Sequence, residues 1–181
     1  MKIMEAPLNG LIIIEPRIFN DSRGYFFEDY QKERYQELGI PEFVQHNLSR
    51  STRNVLRGLH YQLPHAQGKL VGVTRGHVWD VVVDIRVNSK TFGQWFGIDL
   101  TDENHLQMYV PPGFAHGFCV LSDEADFYYK CTDFYTPACE RGIIWNDARL
   151  NIAWPVKNPI LSPKDEVYSS LHEIAHEQLF A

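Results

Sequence analysis

The feature that most constrains this chain is the rhythm of its β-forming runs. Short segments rich in Val, Ile, Phe, Tyr and Trp are separated by Gly, Pro and Asn, and few stretches keep a helical period. Residues 78–86 read as a strand with Trp79, Val81, Val83 and Ile85 on one face. Residues 94–100, 106–110 and 117–121 follow. Residues 125–132 alternate again, with Phe127, Tyr129 and Cys131 on one face and Asp126, Tyr128 and Lys130 on the other. Two helices are expected, over 30–38 with Gly39 as its stop and over 166–179, where Val167, Leu171, Ile174 and Leu179 fall near helical spacing. Many short strands with few helices imply an all-β sandwich or barrel. Without a linker or repeat, residues 1–181 read as a single domain.

Composition removes several classes of function. A net charge of −6 argues against a nucleic-acid partner while leaving room for a local basic pocket. The apolar run Leu11-Ile12-Ile13-Ile14 is too short for a membrane span or a signal-peptide core. Cys119, Cys131 and Cys139 form no CxxC pair, so reduced, structural cysteines in a cytoplasmic protein are expected.

The chemistry concentrates in Arg57-Gly58-Leu59-His60-Tyr61-Gln62, Lys69, Tyr129-Lys130 and Lys164-Asp165. These supply a base, cations, a phenol and a carboxylate to orient the base, a set suited to removing a proton next to a carbonyl. Each has a plainer reading: His60 as a hydrogen-bonded structural histidine, Tyr129 as a core aromatic, and Arg23, Arg57 and Lys164 as solvated charges. Lys69 shares a strand face with Val71 and Val73, and an ammonium on an apolar face needs a reason. Strict alternation puts Arg57 and His60 on opposite faces. Either a bulge at Gly58 realigns them, or they serve different sites. His172-Glu173-Ile174-Ala175-His176 matches H-E-x-x-H, but only five residues follow to supply a third ligand, so a solvated helix face is the better reading.

Taken together, the chain resembles the dTDP-4-dehydrorhamnose 3,5-epimerase family. The resemblance runs through Asp21-Ser22-Arg23-Gly24-Tyr25-Phe26-Phe27-Glu28, Gln45-His46-Asn47, Arg57-Gly58-Leu59-His60-Tyr61-Gln62 and Gln67-Gly68-Lys69. It continues through Asp84-Ile85-Arg86, Pro112-Gly113-Phe114-Ala115-His116-Gly117-Phe118, Tyr129-Lys130, Trp145-Asn146-Asp147 and Ser162-Pro163-Lys164-Asp165. It implies a metal-free cupin-type β-jelly roll with a few short peripheral helices. It also implies a homodimer whose N-terminal segment crosses to the partner's site, and no cofactor. The implied substrate is a dTDP-linked 4-keto-6-deoxyhexose on the route to dTDP-L-rhamnose and lipopolysaccharide O-antigen. The implied roles are His60 as general base, Asp165 as its orienting partner, Tyr129 as general acid and Lys69 on the sugar ketone. Arg23, Glu28, Gln45, Asn47, Arg57, His116, Glu140 and Lys164 match the nucleotide-sugar positions. The H-x-H run and nearby Glu of metal-holding cupins are missing, since the chain has His60-Tyr61-Gln62 and His65-Ala66-Gln67. Phe134 and Gly72 differ from residues frequent in the family. A single-carbon epimerase, a keto-isomerase of a related sugar and a non-catalytic sugar-binding cupin are the alternatives.

The implied chemistry is coherent. A 4-ketone acidifies the hydrogens on C3 and C5, and a histidine with a pKa near about 6.5 can remove either at neutral pH. A carboxylate on its other ring nitrogen fixes the tautomer and stabilises the imidazolium. A cation stabilises the enolate oxygen, and a phenol across the ring returns the proton on the opposite face. No electron changes hands, in keeping with the lack of a G-x-G-x-x-G loop.

Overall fold

The computed structural model describes residues 1–181. The N-terminal part supplies β1 (Lys2–Met4), β2 (Ile12–Glu15), the hairpin strands β3 (Phe19–Asp21) and β4 (Gly24–Phe26), and the short helix α1 (Lys32–Gln36). The rest is a long two-stranded ribbon wrapped on itself. Its outgoing half is β5 (Gln45–Thr52), β6 (Leu56–Gln62), β7 (Lys69–Arg75) and β8 (His77–Asp84). Its returning half is β9 (Trp95–Thr101), β10 (Gln107–Val110), β11 (Phe114–Val120) and β12 (Glu124–Cys131), followed by β13 (Glu140–Gly142). Pairing is nested and antiparallel: β8 with β9, β7 with β10, β6 with β11, β5 with β12. Wrapping sends alternate pairs to opposite sheets, ordered β1-β2-β10-β7-β12-β5 and β13-β6-β11-β8-β9. This is the antiparallel jelly roll that the strand rhythm and the resemblance led us to expect. No helix is long and apolar enough to cross a membrane.

Much of each sheet is covered on both faces, which explains why several strands lack clean polar alternation, whereas β5 at the edge of the six-stranded sheet leaves its outer face exposed. Val71, Val73, Val78, Val82, Met108, Phe118 and Phe127 fill the space between the sheets. Val81 and Val83, with Trp79 against them, form the expected common face of β8, and Ile85, one residue past the strand, joins them outward against Leu150, Leu171 and Leu179. Ile14, Tyr35, Ile40, Phe43, Leu70 and Tyr109 make a third cluster beneath α1. The Asp84-Ile85-Arg86 block proves structural. Arg86 and the hydroxyls of Ser89 and Thr91 all donate to the buried Asp84 carboxylate. Burial pushes that carboxyl up, but these donors outweigh it and take it down to about 2. Cys119, Cys131 and Cys139 are buried with free thiols.

Two expectations need correction. The first helix is shorter than 30–38, although Gly39, at φ +80°, ends it as anticipated. The helix expected over 166–179 does not form. Only two 3-10 turns occur there, Leu171–Glu173 and His176–Gln178, and Val167 is 78% exposed. Docking decides the outcome. Leu171 and Leu179 both enter the outer core, and the tail bridges the end of β8 through Val87 N–H to Phe180 O and Phe180 N–H to Ile85 O. The extended chain that these contacts need outweighs a weak helical preference. His172 and His176 consequently sit in separate turns, both exposed, so the H-E-x-x-H spacing is not displayed on a helix.

Candidate active site

A cavity of about 360 Å³ opens between the two sheets, and all the anticipated site residues line it except Arg23 and Glu28. One wall belongs to the five-stranded sheet, with Arg57 and His60 on β6, His116 on β11 and Glu140 on β13. The other belongs to the six-stranded sheet, with Gln45 and Asn47 on β5, Lys69 on β7 and Tyr129 on β12. Ser162, Lys164 and Asp165 close it from the C-terminal segment.

The β6 strand meets the alternation problem with a bulge at Gly58. His60 pairs with His116 and Arg57 with Phe118, so β6 takes three steps where β11 takes two. The extra residue turns both side chains into the cavity. Gly58 has φ +125°, and a Cβ there would stand 2.5 Å from the Gly117 Cα and 2.8 Å from the His116 carbonyl oxygen. Only glycine satisfies both demands.

His60 is held from behind. Its Nε2 lies 2.5 Å from Asp165 Oδ1, while Ser162 Oγ donates to Asp165 Oδ2 at 2.7 Å. Burial depresses the imidazole below its ordinary value, and Asp165 only partly pulls it back. Burial alone would raise the Asp165 carboxyl, but its bonds with His60 and Ser162 hold it below the usual range. Both directions favour a neutral imidazole beside a carboxylate, a pairing in which Nε2–H donates to Asp165 Oδ1. Nδ1 has no protein partner, which leaves it open to accept a proton. Tyr168 meets the His60 ring edge-on at 5.8 Å and covers Gly142, where a Cβ would fall 2.4 Å from its ring. No sequence signal pointed to Tyr168.

On the opposite wall, Lys69 makes no hydrogen bond or ion pair with the protein, and burial lowers its ammonium below the ordinary lysine value. A desolvated cation facing an open cavity is a ready partner for a developing oxyanion. The Tyr129 hydroxyl likewise has no protein partner, and burial raises its pKa, keeping it protonated and able to donate. His116 is held differently from His60: Nε2 meets the fully buried Asp80 carboxylate at 2.9 and 3.0 Å. Burial drives that carboxyl up despite the pairing. No three His, Cys, Asp or Glu side chains cluster closely enough to hold a metal ion.

Toward the cavity mouth, Lys164 Nζ pairs with Glu140 Oε1 at 2.6 Å, and the Tyr135 hydroxyl donates to Glu140 Oε2 at 3.2 Å. Arg57 is held only by the Ser51 hydroxyl, at 3.0 and 3.1 Å, leaving its charge for a ligand. Residue-type reasoning passed over Gln62 and Gln67, although both stand in the motif blocks. Gln62 secures residues 134–136 through Phe134 O and Thr136 N–H, and Gln67 donates to Asp133 O. Phe134 is 62% exposed and does not line the cavity. Its neighbour Tyr135 does. Arg23 and Glu28 lie outside: Arg23 forks onto Asp21 in the exposed β3–β4 hairpin, and Glu28 pairs with Arg34.

The His60–Asp165 pair gives a pH-resolved expectation. Asp165→Asn removes the charge that raises the His60 proton affinity, so the acid limb of kcat/KM moves to lower pH. Turnover falls on the order of 10²-fold, because the imidazolium loses its charged partner. The native Asp165 carboxyl, depressed by folding, stabilises the protein above the ordinary carboxylate range and loses that contribution as pH falls through its folded value. The variant therefore loses stability at neutral pH. Rate–pH profiles with thermal midpoints check both signs, and an unmoved acid limb would detach Asp165 from the base.

Comparisons agree with this geometry. The family model described as dTDP-4-dehydrorhamnose 3,5-epimerase matches residues 5–173. A dTDP-4-dehydrorhamnose 3,5-epimerase from Shigella flexneri is 54% identical over 168 residues, covering 91% of this chain and 93% of that protein. Another from Escherichia coli K12 is 49% identical over the full length of both chains. Among solved structures, a dTDP-6-deoxy-D-glucose-3,5-epimerase from Legionella pneumophila Philadelphia 1, in complex with dTDP-4-keto-L-rhamnose, superposes with a TM-score of 0.96. It is 52% identical, covering 99% of this chain and 97% of that one. Motif blocks, jelly roll and cavity converge, and the chain belongs to the dTDP-4-dehydrorhamnose 3,5-epimerase family.

Proposed function

We propose that this protein epimerises dTDP-4-dehydro-6-deoxy-D-glucose at C3 and C5, giving dTDP-4-dehydro-L-rhamnose. The observation that carries the reading is the division of the cavity. The candidate base stands on one sheet, and the candidate acid and an unpartnered ammonium stand on the other. Inversion needs a proton removed from one face of a carbon and returned on the opposite face. Two facing sheets supply that separation without any moving part.

With the sugar ketone against Lys69, His60 Nδ1 takes the proton from C3. The C–H electron pair becomes the enolate π bond, and the charge collects on the ketone oxygen beside the ammonium. The Tyr129 phenol then protonates C3 from the far side. His60 releases its proton to solvent, Tyr129 recovers one, and the sequence repeats at C5. Arg57 and Lys164 suit the diphosphate, while Gln45, Asn47, His116 and Glu140 supply hydrogen-bonding groups for the rest of the nucleotide sugar. Nothing in these steps calls for a cofactor. Arg23 and Glu28 do not reach their own cavity, which fits a homodimer in which the hairpin serves the partner's site. Sedimentation of the purified chain reads the stoichiometry directly. The whole chain acts as one domain, and the free buried thiols together with a nucleotide-sugar substrate suit the cytoplasm.

The test is solvent exchange in D₂O. Deuterium should enter at both C3 and C5 with inversion at each. The Tyr129→Phe variant should still exchange, since the base acts first, but should fail to invert fully. Entry at one carbon would mean a single epimerisation, a ketose–ketose product an isomerase, and no entry a binding protein. Unaltered exchange and product in Tyr129→Phe would reduce Tyr129 to packing.

A further inference from the structure

Lys130 follows the candidate acid in sequence, yet it points away from the cavity and the mechanism leaves it unused. On the outer face of the six-stranded sheet, its ammonium is almost fully buried and pairs with Asp29 Oδ2 at 2.5 Å, 4.5 Å above the Tyr128 ring. Gln107, fully buried on β10, donates from Nε2 toward Asp29 Oδ1 at 2.9 Å, the Asp29 carbonyl at 2.8 Å and the Tyr128 hydroxyl at 2.8 Å. The Tyr35 hydroxyl, from α1, reaches Gln107 Oε1 at 2.6 Å and the Asp29 carbonyl at 3.0 Å. Thus one residue of the connection between β4 and α1 is held through both main chain and side chain, by groups from two strands and a helix. Gly72 makes this possible. It lies between Gln107 and Tyr128 in the strand register, and a Cβ there would stand 2.5 Å from the Tyr128 hydroxyl. The glycine therefore serves the outer face and does not touch the cavity.

Asp29 is the neighbour of Glu28 and lies six residues after Arg23, and these two are the anticipated site residues that their own chain leaves outside the cavity. Through β12, Lys130 is also adjacent to Tyr129, which faces the cavity from the other side of the same strand. We propose that Asp29, clamped by Lys130 and Gln107, is a positioning residue: it fixes the root of the β3–β4 arm against the strand that carries Tyr129, and so sets where Arg23 and Glu28 present themselves to the nucleotide. This rests on the reading of the arm as part of a substrate site. Exposed carboxylate–lysine pairs contribute little to stability, but this pair sinks its ammonium in protein, where a lost partner leaves an uncompensated charge. Positioning and stability are therefore separable by experiment.

The experiment measures KM, kcat and thermal midpoint for Asp29→Asn, Lys130→Met and the double variant, each with and without Arg23→Ala. Asp29→Asn should raise KM about tenfold with kcat changed less than about twofold, because ground-state binding is lost and the chemistry is not. Its midpoint should fall, since Lys130 is left charged and buried. The double variant removes that charge, so the midpoint should recover while KM stays high. On the native background Arg23→Ala should itself raise KM about tenfold, but on Asp29→Asn it should add little, as expected of two changes acting through one arm. Recovery of KM together with the midpoint, or full additivity, would overturn the anchor. If Arg23→Ala raises KM and Asp29→Asn does not, the anchor alone is wrong. If Arg23→Ala leaves KM unchanged, the arm is no part of the site and the anchor falls with it.

Discussion

Replacing His60 with alanine abolishes deuterium entry at both C3 and C5 and lowers turnover by about 10²- to 10⁴-fold, the range supplied by a positioned general base. Both positions must fail together, because one imidazole is proposed to reach C3 and C5 from the same side of the ring. His116, the other imidazole lining the cavity, is also held through Nε2, to both Asp80 oxygens, and is the group a second base would use. The fold should tolerate the change, since the ring is a cavity-wall group and Leu59 and Tyr61 beside it carry the packing. The Asp165 carboxylate loses its partner but keeps the Ser162 hydroxyl. Exchange of each sugar hydrogen followed by NMR settles the matter. Loss at C3 with retention at C5 would assign a second base, and near-normal exchange at both would remove His60 from the mechanism.

Lys69→Met carries the next largest effect, and its signature is two changes of opposite sign. Removing one preorganised donor to a developing oxyanion costs about 10²- to 10³-fold in kcat, or about 3–4 kcal/mol. The same substitution removes an ammonium that burial disfavours and that no protein group pairs with directly. The thermal midpoint should therefore hold or rise while activity collapses. Side-by-side measurement of kcat and melting separates this from a structural lysine, which would lose both. A parallel fall in midpoint and rate would show that Lys69 supports the wall and does not serve the ketone.

Much of this was written in side-chain order. The period-two pattern of residues 78–86 and 125–132 placed Trp79, Val81 and Val83 on one face of β8, with Ile85 just beyond it, and Phe127, Tyr129 and Cys131 on one face of β12, because alternation is a property of the extended backbone itself. At Gly58 the sequence left two readings open, a bulge or two separate sites, and the register shift between β6 and β11 decides for the bulge. What alternation could not reveal is which face meets the facing sheet, since α1 and the tail cover much of the outer faces as well, while β5 leaves its outer face open. The C-terminal segment shows the limit most plainly. Its apolar spacing suits a helix, yet Leu171, Leu179 and Phe180 reach their docking points only along an extended path.

The site divides along the same line. Residue types and their order in the motif blocks were enough to nominate His60, Lys69, Tyr129 and Asp165, because acid–base chemistry accepts few side chains. Their assignment to facing walls depended on tertiary structure. Strands far apart in sequence meet through the nested ribbon, and Asp165 reaches His60 from 105 positions away. The Asp29–Lys130–Gln107 cluster was invisible for the same reason: three unremarkable polar residues acquire a role only when β10, β12 and the end of the arm are brought together. Local backbone and side-chain chemistry is encoded in short stretches and can be read from them. Which groups lose water together, and which charges are thereby left with one partner or none, is decided by the packing of the whole chain.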